Sequence, residues 1–202
     1  MITIYDFPRG ARGLRAAWVC EEMGLEYRFM SVSFPPDEHY LLLNPFGTVP
    51  LLQDDDLLIC ESVAMIIYIA QKYGPTDIFP DAEDSCYAKI LQFAILGEAS
   101  LSSPMTPLLT ARYGAAQETQ KRNWSVLGIE SRLKRTIVTV DDQLGDREFL
   151  VGASFSLADI SVVTALRIWK RGLNEKISPR LDAYCERLQE RPACKRAMAK
   201  HI

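Results

Sequence analysis

Residues 44–68 read Asn-Pro-Phe-Gly-Thr-Val-Pro-Leu-Leu-Gln-Asp-Asp-Asp-Leu-Leu-Ile-Cys-Glu-Ser-Val-Ala-Met-Ile-Ile-Tyr, and the rest of the chain takes its meaning from them. Val49 to Gln53 and Leu57 to Cys60 are short apolar runs, and the three aspartates between them supply a polar turn, the pattern of a β-hairpin. After Glu61 the period changes. Val63, Ile66, Ile67 and Ala70 recur at helical spacing until Gly74-Pro75, which predicts a helix from about Ser62 to Tyr73. Ser62 then stands at a helix N-terminus, where backbone N–H groups without intrahelical partners and the positive end of the helix dipole favour an anion. Its hydroxyl adds a donor, so a carboxylate or phosphate seat is one reading; a plain N-terminal cap is the other.

Upstream, Ile2 to Asp6 reads as a strand, and residues 7–13, Phe-Pro-Arg-Gly-Ala-Arg-Gly, form a loop rich in punctuating residues. Leu14, Ala17, Trp18 and Val19 mark the apolar side of a helix, Glu21 and Glu22 its polar side, and Gly24 its left-handed cap. Glu26 to Val32 alternates as a half-buried strand until Pro35-Pro36 breaks it. With a short helical turn around 37–43, residues 1–76 read β-α-β-α-β-β-α.

The acidic, proline-containing stretch 77–85 reads as a linker. Everything beyond it is helical in pattern. One helix runs from about Cys86 toward Tyr113, bent near Pro104 or Pro107; a second carries Trp124, Leu127, Leu133, Ile137, Val140 and Leu144 and ends at Gly145. Ser156-Leu-Ala-Asp159, flanked by Phe155 and Ile160, is a capping box with its hydrophobic staple. A last helix starts at Pro179 and is interrupted near Pro192. The organisation expected is an α/β domain over 1–76, a linker over 77–85 and an all-α domain over 86–202.

Of the 202 residues, 48% are hydrophobic and 24% charged, which is ordinary globular usage, and a chain of this size builds a core without disulfides. The net charge of -3 gives no basic footprint for nucleic acid or an anionic membrane. No apolar run reaches the roughly 18 residues of a membrane span, and Met-Ile-Thr-Ile-Tyr-Asp lacks the features of a leader, so a cytoplasmic location is expected. The five cysteines are odd in number, scattered and without a Cys-x-x-Cys, which suggests neither a metal site nor a disulfide framework.

Asn-Pro-Phe-Gly-Thr-Val-Pro (44–50), followed after the hairpin by Glu-Ser-Val-Ala-Met-Ile-Ile-Tyr-Ile-Ala (61–70), resembles the glutathione-binding half of the cytosolic glutathione S-transferase superfamily. Leu-Val-Gly (150–152) and the Ser156-x-x-Asp159 box extend the resemblance, so that it spans essentially the whole chain and suggests a bacterial-type member. It implies a thioredoxin-like first domain and an all-α second one, with glutathione as co-substrate and no metal. It also implies a cis Val49–Pro50 bond beside the 48–50 backbone, with Val49 pairing to the cysteinyl part of glutathione and Glu61 with Ser62 holding the γ-glutamyl end. A homodimer is implied as well.

The chemistry implied is delivery of the glutathione thiolate to a small apolar electrophile. A free thiol has a pKa of about 8.5, so the site must stabilise the anion, and each unit of lowering corresponds to about 1.4 kcal/mol. Family members use a Ser, Cys or Tyr after the first strand. Here Ala11 and Gly13 stand where hydroxyls would, which leaves three candidates: Tyr5, Arg12, or backbone amides of the Gly10 to Gly13 loop. His39 is placed where members reach the glycyl carboxylate, and Met105, Leu109, Tyr113 and Trp169 have the character of a pocket for the electrophile or of plain core. Two alternatives stand beside the transferase: a glutathione-dependent reductase, isomerase or dehalogenase, and a non-catalytic interaction module.

Overall fold

A computed structural model describes the chain except at residues 9, 11, 115–118, 120–121 and 201–202. The N-terminal elements are β1 (Ile2–Asp6), α1 (Gly13–Glu22), β2 (Tyr27–Ser31), α2 (Glu38–Leu43), β3 (Leu51–Asp54), β4 (Leu57–Cys60) and α3 (Ser62–Lys72). Their order matches the expected β-α-β-α-β-β-α, and the sheet runs β2-β1-β3-β4. β1 pairs parallel to β2 and antiparallel to β3, while β3 and β4 form the antiparallel hairpin, turned at Asp55 with φ 53°. This is the thioredoxin-like mixed sheet.

Strand alternation sorts β1 between two faces. Ile2 and Ile4 are buried at 2% and 0% exposure, whereas Tyr5 packs on the cluster of Val32, Tyr40 and Leu51 together with Phe7, Val49 and Cys60. Pro50 is excluded from the ladder, so β3 begins at Leu51 rather than at Val49. A buried carboxylate closes the far end of this unit. Asp54 accepts from Tyr68 (2.9 Å), Lys72 (2.6 Å) and Tyr73 (2.7 Å), which ties the end of β3 to α3.

By packing, the first unit comprises Met1–Tyr87 together with the chain from Arg187 onward, and the second is Ala88–Glu186. The second unit holds all but the first residue of α4 (Tyr87–Leu96), α5 (Ser103–Leu109), α6 (Trp124–Leu144), α7 (Leu157–Arg167) and most of α8 (Pro179–Gln189); α9 (Pro192–Lys200) belongs to the first. The terminal helix, read from the sequence as part of the all-α domain, therefore groups with the sheet. Arg191 makes a fork to Glu22 (2.7 and 2.8 Å), and Arg196 and Lys200 both reach Glu21 (2.6 and 2.9 Å).

In the second unit the run from Tyr87 continues to Gly114 through π-helical turns at Gly97–Ser102 and Thr110–Gly114. The first irregularity thus precedes both prolines. At Gly97 the chain passes close to α7: a Cβ there would lie 2.4 Å from Ser161 Oγ, and that hydroxyl donates to the carbonyl of Ala94 at 2.7 Å. The capping box is formed as read. Buried Asp159 accepts from the N–H groups of Leu150 and Ser156 (both 2.9 Å), from Ser156 Oγ (3.1 Å) and from Tyr184 (2.6 Å). No described helix is long and apolar enough to cross a membrane.

Candidate glutathione site

Sheet register gathers the two sequence motifs. Leu51 pairs with Cys60, so Val49–Pro50, just before β3, and Glu61–Ser62, just after β4, lie side by side at the same end of the hairpin. Tyr5 pairs with Leu51, which brings the end of β1 and the loop to α1 to that same end. The Val49–Pro50 peptide is cis. The carbonyl of Thr48 accepts from Tyr40 Oη (2.6 Å) and Asn44 Nδ2 (2.7 Å), which fixes the turn that leads into it. Among the described residues no hydrogen bond engages the backbone N–H or C=O of Val49, so both remain available to an extended peptide.

Glu61 is an exposed non-glycine residue at φ 75°, a conformation that costs about 1–3 kcal/mol. That strain turns the chain from β4 into α3 within one residue. It leaves Ser62 buried at 2% exposure as the first helical residue, with no side chain capping the helix. Arg15 Nη1 donates to Ser62 Oγ at 2.8 Å, and Arg15 itself has 0% exposure. A buried arginine under the helix N-terminus was not foreseen from the sequence. Its one signal is a charge inside eight consecutive buried positions of α1, Gly13 to Cys20.

Asp6 is the other unforeseen group. Its buried carboxylate accepts from Phe7 N–H (2.8 Å) and Gly13 N–H (2.7 Å), while the N–H of Gly10 is spent on the carbonyl of Phe7 (2.8 Å). A Cβ at either glycine would lie 2.5 Å from that carboxylate. The two glycines therefore make room for Asp6, and their N–H groups are not offered to a sulfur; this corrects the loop-amide alternative at both positions. Ala11 lies outside the described residues.

The phenol of Tyr5 donates to Gln53 Oε1 at 2.9 Å and its ring lies 6.2 Å from that of Tyr40. Its proton is thus committed within the sheet. Arg12 stands at the N-terminal boundary of α1, and His39 is exposed on α2. Of the four residues considered for an electrophile pocket, Met105 and Trp169 fill the core of the helical unit at 0% and 1% exposure. Their burial is that of the plain core, the alternative given for both in the sequence. Leu109 is half-buried and Tyr113 is 68% exposed, its hydroxyl on the carbonyl of Gly172 (2.9 Å). Burial pushes the Cys20 and Cys185 thiols up to about 12, which removes them as nucleophiles.

Two family models match the chain: the glutathione S-transferase N-terminal domain over residues 1–71 and the glutathione S-transferase C-terminal domain over 104–201. The chain belongs to the glutathione S-transferase family. Its relatives include glutathione S-transferase 1 of Zea mays, 29% identical with 92% of this chain and 90% of that protein covered. Among solved structures, a glutathione transferase of Methylococcus capsulatus is 27% identical, with a TM-score of 0.82 over 100% of this chain and 98% of that one. The nitrogen regulation fragment of the yeast prion protein Ure2p is 22% identical with a TM-score of 0.87, covering 98% and 96%, and so shares the fold.

Proposed function

We propose that this glutathione S-transferase family member binds glutathione at the open end of its hairpin and presents the thiolate to a small apolar electrophile. The observation that carries the reading is the register of Leu51 with Cys60, which sets a Val49 backbone without a hydrogen bond among the described residues beside the N-terminus of α3, which no described side chain caps. The backbone of Val49 takes the cysteinyl amide, Ser62 and the first turn of α3 take the γ-glutamyl carboxylate, and exposed Glu61 takes the ammonium next to it. His39 is the candidate for the glycyl carboxylate. No cysteine of the chain acts as nucleophile; the thiol belongs to the co-substrate.

Thiolate formation falls to Arg12 in this proposal, because the Tyr5 proton goes to Gln53 and the glycine amides of the loop are spent. A guanidinium at a helix N-terminus stabilises an adjacent thiolate. Leu109 and Tyr113 are the accessible apolar residues assigned to the electrophile. A homodimer and a cytoplasmic location complete the proposal. The maize and Methylococcus relatives, both called transferases, support it.

Calorimetry with glutathione tests the reading. Ser62→Ala removes one hydrogen bond to a charged group and leaves the backbone donors, so affinity falls by roughly 10- to 150-fold. An unchanged dissociation constant refutes the carboxylate seat. A panel of electrophiles and glutathione-reducible disulfides then separates conjugation from redox work on the same fold. The absence of a Ser or Cys between Thr3 and Cys20 favours keeping that second reading in the test.

A further inference from the structure

We infer that Arg15 is a positioning residue of the proposed glutathione site, acting through Ser62 to select the carboxylate of the γ-glutamyl end. The inference rests on the glutathione reading above and adds to it a residue that touches no substrate. Arg15 lies 47 positions before Ser62 in the chain, yet its Nη1 is 2.8 Å from Ser62 Oγ in a fully buried environment. A guanidinium only donates, so Ser62 Oγ is the acceptor in this pair. A serine hydroxyl has one proton, and with an oxygen lone pair held by Arg15 that proton is directed away from the arginine. Among the described residues Ser62 Oγ has no other hydrogen-bond partner, and no side chain caps α3. The O–H is therefore a preset donor at the helix N-terminus.

Charge strengthens the same effect. Arginine stays protonated at all working pH values, and a cation behind a hydroxyl polarises the O–H in a low-dielectric setting. It also adds to the positive end of the α3 dipole. Burying a guanidinium is costly unless hydrogen bonds hold it, and a cap alone needs no such group, since an unsupported serine caps a helix well. A carboxylate gains from both the preset donor and the cation, whereas a neutral group in its place gains little. Arg15 thus makes the seat specific for an anion.

The test compares glutathione with 4-aminobutyryl-cysteinyl-glycine, which keeps the amine and thiol but lacks the γ-glutamyl carboxylate. Calorimetry is run on the wild type, Arg15→Met, Arg15→Lys, Ser62→Ala and Arg15→Met/Ser62→Ala. The wild type prefers glutathione by roughly 10- to 150-fold, the worth of a charge-assisted hydrogen bond. Arg15→Met loses about 10-fold or more of glutathione affinity with the analogue unchanged, and adds little once Ser62 is alanine. Arg15→Lys, which retains charge and stem but only a single-point donor, keeps part of the preference; it carries the test if Arg15→Met does not fold. Equal loss for both thiols, or full additivity with Ser62→Ala, overturns the role of Arg15 while the glutathione reading stands. A wild type that binds neither thiol sinks both.

Discussion

Gly13→Ala puts the reading of the α1 entry loop to a quantitative test. A Cβ built on Gly13 lies 2.5 Å from Asp6 Oδ2, 2.9 Å from Asp6 Cβ and 3.0 Å from Asp6 Cγ. The carboxylate cannot simply swing aside, because it is buried and held by the N–H groups of Phe7 and of Gly13 itself. Relieving the overlap costs about 1–3 kcal/mol of local overpacking. Lengthening the bond from the Gly13 N–H to a charged acceptor costs about 1.5–3 kcal/mol more. Alanine recovers at most about 1 kcal/mol of helix propensity. A net loss of about 2–5 kcal/mol is expected, read as a shift of the urea midpoint at constant slope. In an Asp6→Ala background the same change should cost under about 1 kcal/mol, since the obstructing group is gone. Wild-type stability in Gly13→Ala, with a raised thiol pKa in bound glutathione instead, would refute the reasoning and return the glycines to the sulfur.

Three further outcomes are expected. Tyr5→Phe leaves the ultraviolet titration of the bound thiol unchanged while Arg12→Ala raises its pKa by about one to two units; a shift confined to Tyr5→Phe would make the phenol the donor after all. Burial alone would raise the Asp54 carboxyl, but hydrogen bonds from Lys72, Tyr73 and Tyr68 outweigh it and hold the pKa down at about 2 against an ordinary 3.8. Being depressed in the fold, that group contributes stability fully present above pH 3.8 and lost as pH falls through 2. The contribution is on the order of 2 kcal/mol, and acid unfolding curves of Asp54→Asn that keep the wild-type slope in this window would contradict it. Asp159→Ala strands the N–H of Leu150, the N–H and hydroxyl of Ser156 and the phenol of Tyr184, and should cost about 3–5 kcal/mol by calorimetric melting; a loss under about 1 kcal/mol would show the box to be dispensable.

Local chemistry made much of this molecule legible in its sequence. The polar hairpin turn, the switch of period at Ser62 and the spacing of Ser156 and Asp159 each act over a few residues; the last two appear where the pattern put them, while the turn takes only Asp55 and Asp56 and Asp54 closes β3. What the sequence hid depends on contacts across long separations. Nothing local to Arg15 shows that it meets Ser62, 47 positions on, and Gly10 and Gly13 read as ligand-approach glycines until the Asp6 carboxylate is seen beneath them. Met105 and Trp169 have the composition of a pocket and of a core alike, and only neighbouring helices decide between the two. The close approach of Gly97 to Ser161 likewise joins residues sixty-four positions apart, which no local pattern shows.

The return of α9 to α1 bears on how the protein is made. During synthesis the sheet and α1 leave the ribosome long before residues 191–200, so Glu21 and Glu22 wait for Arg191, Arg196 and Lys200 through the emergence of the entire helical unit. The first unit cannot be completed in the order in which it is translated. A fragment ending at Tyr87 would present a bare α1 flank, whereas appending residues 187–202 to it through a flexible tether would restore the missing partner.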